Sequence, residues 1–196
     1  MYPYNFKMGQ RIQTNAPGVA CDRSFLAHFQ VLAADAVAAS NTGVHAAIAL
    51  TAATQAITTG ITNPAVPRNI KIIGNAAGIV GNVVITGTNY AGAVITETIA
   101  LNGATAVDGA KAFKTVTQID LPVETHVGTD TVSVGWGDKL GLPYLLAHNT
   151  VLAAYLDNVK EATAPTVTVS ATDIEANTID LNSVLAGTVV DTYIIV

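Results

Sequence analysis

The side chains that could carry chemistry in this chain are few and far apart. His28, His45, His126 and His148 stand singly, none within metal-ligand spacing of another. The stretch "ETHVGTD" (124–130) gathers Glu124, His126 and Asp130, but surface or hydrogen-bonded histidines are the simpler reading, and no metal or cofactor is expected. Glu97 and Glu124 would form an acid pair only by coincidence of folding. A sugar-cleaving cleft usually adds aromatic platforms to its two carboxylates, and this chain is 6 % aromatic with one tryptophan, Trp136. There is no G-x-S-x-G, and Cys21 lies in a segment poorly suited to preorganising a nucleophile. The glycine-rich strings "GNAAGIVG" and "GWGDKLG" lack the spacing and the lysine of phosphate-binding loops, and read as turns. No set of residues can be assigned catalytic roles, so an enzyme is not expected.

Composition points to surfaces instead. Charged residues make up 12 % and apolar residues 50 %, where an ordinary soluble domain carries about 25 % charge. Such a surface predicts burial against partners. The net charge of −5 is unevenly spread: residues 1–70 hold four cations and two carboxylates, and the remainder five cations and twelve carboxylates. That excess is too small for a nucleic-acid partner. With one cysteine no internal disulfide can form. "MYPYNFKMGQ" lacks the apolar core of a signal peptide, and no uninterrupted apolar run is long enough to span a membrane, so cytoplasmic folding is the expectation.

The elements that would position these residues are mostly strands. Residues 1 to about 24 show neither period, hold Pro3, Gly9, Pro17 and Gly18, and alternate Tyr2, Tyr4 and Phe6; they read as an arm. "SFLAHFQVLAADAVAAS" (24–40) is the one helix candidate, capped by Ser24 with Phe25, Leu26, Phe29, Leu32, Ala33 and Ala36 on one face; an extended reading competes, because Phe25, Ala27 and Phe29 also alternate. From Gly43 onward the pattern is β. "NVVITGTNYAGAVITETIALNG" (82–103) predicts a hairpin that sets Val83 and Ile85 with Ile95, Ile99 and Leu101, turns the threonines away, and lifts Tyr90 at its tip. Glu97 falls on the apolar face, which implies a bulge, an edge strand or a subunit contact. "KAFKTVTQIDLP" alternates Phe113, Thr115, Thr117, Ile119 and Leu121 against Lys114, Val116, Gln118 and Asp120, and "DTVSVGWGDKLGLPYLL" aligns Val132, Val134 and Trp136. A short turn or helix is expected at 180–186, then a paired final strand ending "TYIIV". The expectation is a mainly β chain: an antiparallel β-sandwich or barrel-like body over 44–196, an extended N-terminal arm over 1–43, and at most one short helix.

"ITNPAVPRNIKIIGN", "VITGTNYAGAVITETIALNG", "KAFKTVTQIDLP" and "DTVSVGWGDKLGLPYLL" together resemble virion structural proteins of tailed bacteriophages of Gram-positive hosts, head decoration (cement) proteins most of all. The resemblance covers about residues 56–196 and contains no catalytic motif. It implies a non-enzymatic protein, made in the host bacterial cytoplasm, that binds the major capsid protein on the outside of the head as a homotrimer, with no nucleic-acid or membrane partner. Tyr2, Tyr4, Phe6, Phe25, Tyr90 and Trp136 are the expected subunit or capsid contacts, because aromatics are typical interface anchors. The alternatives are a tail-tube or other tail subunit, and a host-surface or carbohydrate-binding module.

Overall fold

The computed structural model describes residues 12–13, 17–18, 20–21, 24–126 and 129–196 of the 196-residue chain. Its strands are β1 (Ile12–Gln13), β2 (Ala20–Cys21), β3 (Leu26–Val31), β4 (Ser40–Ala49), β5 (Gln55–Ile57), β6 (Arg68–Gly74), β7 (Asn82–Thr88), β8 (Val94–Ala100), β9 (Val107–Phe113), β10 (Thr115–Leu121), β11 (Thr131–Gly141), β12 (Val151–Leu156), β13 (Val159–Lys160), β14 (Thr166–Thr168), β15 (Thr178–Asp180) and β16 (Val190–Ile195). The helical content among the described residues is one 3-10 turn, Ile174–Ala176. The body is mainly β and antiparallel, as the alternation predicts.

Three sheets build it. One runs β5-β10-β7-β8, a second β14-β15-β11-β6-β9 with β4 also on β11, and a third β13-β12-β16-β3; β1 and β2 form a separate two-stranded ribbon. The first two sheets enclose one core, in which Ile70, Ile72, Val83, Ile85, Phe113 and Ile119 are fully buried. The third sheet packs on the far end of the second around Phe29, Leu140, Ile179, Val190 and Ile194. Strand β11 serves both cores: Val132 and Val134 point into the first and Leu140 into the second. Between them the ladder slips, pairing Trp136 with Ile70 but Leu140 with Arg68. Asn69 holds this bulge, since its Oδ1 accepts the Lys139 N–H at 3.1 Å and its Nδ2 donates to Asp108 Oδ1 at 3.0 Å. Bulges re-aim side chains, and here one strand is handed from one core to the other.

The hairpin forms as its pattern predicts. Val83 and Ile85 are buried with Ile95, Ile99 and Leu101, and Thr88 pairs with Val94 across the five-residue tip. At the tip Asn89 Oδ1 accepts the Ala93 N–H at 3.0 Å, and Gly92 takes φ +82°, a conformation costly for residues with a Cβ. Several other expectations are corrected. No helix forms over 24–40: Leu26–Val31 is strand β3, paired along its whole length with β16, from Leu26↔Ile195 to Val31↔Val190. Pairing gives β16 a partner on its second side, whereas a helix there would leave β16 with an open edge. The arm boundary expected at 43 therefore falls inside β4, with β3 and the start of β4 built into the body's sheets. "GWGDKLG" is not a turn but the interior of β11; a Cβ at Gly135 would collide with the Ser40 backbone, and one at Gly137 with the Asn69 amide. In β10 a register shift between Val116 and Gln118 buries Val116 in place of Thr117. The 3-10 turn lies at 174–176, and over 180–186 the chain bends at 182–183 and again from 186 without forming a helix.

Candidate assembly surface

The third sheet turns an unusual outer face to solvent. In β3 the alternation of "LAHFQV" buries Phe29 and Val31 and leaves Leu26, His28 and Gln30 outward. The register of β16 sets Tyr193 opposite His28 and Asp191 opposite Gln30, and β12 adds Ala153 beside Tyr193 and Tyr155 beside Asp191. His28 stacks on Tyr193 with ring centroids 4.9 Å apart and 11° between planes, and Tyr155 meets Tyr193 edge-on at 5.9 Å. Below the rings Asp191 is nearly buried; its Oδ1 lies 2.7 Å from His28 Nε2 and accepts from Gln30 Nε2 at 2.8 Å. The two-residue turn Asp157–Asn158 takes left-handed φ of 50° and 63°, the geometry of a tight hairpin. Tyr155, Asn158, Asp191 and Tyr193 line a shallow concavity of about 330 Å³.

Apolar side chains rim this face. Leu26 is 62 % exposed and Leu152 60 %; Val159, 69 % exposed, pairs with Leu156 and belongs to the sheet's other face. Strand β13 covers β12 at Tyr155 and Leu156, and the Glu161 N–H donates to the Ala154 carbonyl at 2.9 Å, so β12 from Val151 to Ala153 pairs on one side alone, with β16. Beside that open edge Leu152, Ala153, Ala162, Ala164 and Pro165 line a second groove of about 230 Å³. Aromatic rings over a hydrogen-bonded carboxylate, edged by exposed leucines, have the make-up of an interface centre.

A polar seam joins the edges of the first two sheets. Glu97 sits on the inward face of β8, the last strand of its sheet, and reaches the edge strand of the neighbouring sheet. Its Oε1 accepts the Ala110 N–H at 2.6 Å, and the Lys111 N–H lies 3.3 Å from Oε2. Of the three possibilities raised for Glu97, the edge strand describes it, and its carboxylate satisfies edge groups of β9 that would otherwise lack partners. Burial pushes the Glu97 carboxyl up, against the pull of those backbone donors and of Lys111 and Lys139. Asp180 is raised too, by burial first and then by Asp138. Arg68, fully buried between the two cores, donates to the Val37 carbonyl at 2.7 Å and lies 3.4 Å from Asp138. Burial brings its guanidinium down to about 10, so it remains charged at neutral pH.

Of the sequence-predicted contacts, the described ones lie on different elements. Tyr2, Tyr4 and Phe6 lie outside the described residues. Phe25 exchanges backbone hydrogen bonds with Val196 beside β3. Tyr90 stands partly exposed at the hairpin tip. Trp136 packs on Gly43 in the first core and donates its indole N–H to the Ala38 carbonyl at 3.2 Å. The cluster of His28, Tyr155, Asp191 and Tyr193 was missed because the helical reading of 24–40 set Phe29 and Leu26 on one face; the i, i+2 pairs His28/Gln30 and Asp191/Tyr193 were its only local signal. His126 Nδ1 pairs with Asp130 Oδ1 at 2.9 Å, and among the described residues no group of three His, Cys, Asp or Glu is placed to hold a metal. No helix among the described residues is long and apolar enough to cross a membrane. Compared with known proteins, the chain matches no family model, no curated protein and no solved structure.

Proposed function

We propose that this chain is a non-enzymatic structural protein of a tailed-phage virion, a decoration protein that binds the major capsid protein on the head surface as a homotrimer. The observation that carries this reading is the face of the β13-β12-β16-β3 sheet: an aromatic centre, an apolar rim and an open edge on β12. A chain with 12 % charged residues and such a face gains by covering it. The phage assignment itself rests on the resemblance of residues 56–196.

Light scattering on the full chain and on a variant lacking residues 1–24, followed by co-sedimentation with empty heads of the encoding phage, tests the proposal. A trimer that binds heads supports it, and loss of the trimer on truncation makes the arm a subunit clasp. A hexameric ring that ignores heads overturns it in favour of a tail subunit. A second reading, a host-surface glycan module, draws on the Tyr155–Tyr193 concavity and predicts saturable binding of host cell-wall polysaccharide by the isolated chain.

A further inference from the structure

Asn89, Lys111 and Glu175 meet where the hairpin tip, β9 and the 3-10 turn converge. Asn89 is 5 % exposed, and Glu175 is 7 % exposed. Glu175 serves both neighbours, one with each oxygen: Asn89 Nδ2 donates to Oε2 at 3.0 Å, and Lys111 Nζ lies 3.8 Å from Oε1. Lys111 Nζ is held further by the Thr96 carbonyl at 3.0 Å. The Asn89 carbonyl points away from Glu175 and accepts the Ala93 N–H at 3.0 Å. A primary amine, a carboxamide, a buried carboxylate between them and a backbone donor on the amide oxygen form a complete set for transamidation.

We infer that Lys111 and Asn89 become joined by an intramolecular amide bond, with Glu175 as the proton carrier. The Lys111 ammonium passes a proton to Glu175 Oε1, and the freed lone pair forms the Nζ–Cγ bond. The carbonyl electrons move onto Oδ1, where the Ala93 N–H meets the developing charge. The carboxyl proton, shifted to Oε2, goes to Nδ2, and Oε1 takes the second proton from Nζ. The Cγ–Nδ2 bond then breaks as the carbonyl re-forms, and the leaving ammonia takes the remaining proton from Glu175. An ammonium and a carboxamide thus become a secondary amide and an ammonium ion, with Glu175 ionised again and no oxidant or metal required. Lys111, with its side chain 38 % exposed, leaves the departing ammonia a route to solvent. The product ties the end of β7 to β9, covalently closing the side of the sandwich that Glu97 already bridges. Such a clamp suits a protein that bears load.

The test is the intact mass of the purified full-length chain. A mass about 17 Da below that of the sequence, the loss of one ammonia, is expected, together with a branched peptide joining the segments that contain Asn89 and Lys111. Lys111→Arg keeps the cation beside Glu175 but cannot make the bond, and Glu175→Gln removes the proton carrier; both should return to full mass with a cooperative melt. Wild-type protein at full mass with an equally cooperative melt overturns the inference. A deficit that persists in Lys111→Arg overturns it as well, because the ammonia then comes from elsewhere.

Discussion

At the scale of single residues, Glu97 shows how a charge placed on an apolar strand face is accommodated. Its carboxylate serves as the partner of an edge strand, and the cost is a carboxyl raised by burial. A raised carboxyl means that the folded chain holds this proton more tightly than the unfolded chain does. The stability it contributes is therefore complete below the unfolded value of 4.5 and is lost as pH rises through the higher folded value. Glu97→Gln keeps an acceptor for the Ala110 N–H and removes the titration. Melting curves between about pH 4 and pH 7 should thus show the variant gaining on the parent as pH rises; a constant difference would contradict the linkage. Arg68 is the other residue whose environment sets its behaviour. Arg68→Ala deletes a fully buried side chain and orphans the Val37 carbonyl, so a loss of about 3 kcal/mol in unfolding free energy is expected from urea titration.

At the scale of elements, β11 carries the most. It pairs with β4, β6 and β15 and passes between two cores through a bulge. Its glycines are there for approach: at Gly135 any Cβ would overlap the Ser40 backbone, so Gly135→Ala must push β4 off its neighbour. At Gly92 the surroundings are open and only the positive φ resists substitution. Gly135→Ala is accordingly expected to cost at least about 3 kcal/mol and Gly92→Ala about 1 kcal/mol; equal losses in chemical denaturation would show that β4 and β11 do not approach so closely. The hairpin was legible from alternation because it buries one face; β10 was legible as a strand, but not the shift that buries Val116 in place of Thr117. Strand β3 was not, because Phe25, Leu26, Phe29 and Leu32 follow the helical period while Phe25, Ala27 and Phe29 alternate, and only its pairing with β16 resolves them.

At the scale of the whole molecule, two cores share one strand, and neither has a complete wall without it. Heating should therefore give one cooperative transition, with calorimetric and van't Hoff enthalpies equal; two separated transitions would mean that the cores fold independently. In the proposed function the exposed rim serves assembly rather than folding. Leu152→Lys combined with Leu26→Lys should leave Tm within about 2 °C, since both side chains are largely solvent-exposed, while reducing the solution mass or the binding to heads. Unchanged assembly would remove this sheet from the proposed interface.

Composition, alternation and turn residues determined that the chain is antiparallel β, that residues 82–103 form a hairpin and that the final strand is paired, because each of these depends on contacts local in sequence or on one buried face. Tertiary structure alone decided the rest. Whether 26–31 is helix or strand, where Glu97 finds its donors, why "GWGDKLG" runs extended, and how His28 comes to stack on Tyr193 are all set by segments up to 165 residues away. A periodicity reports which face of a segment is buried, but not which other segment buries it.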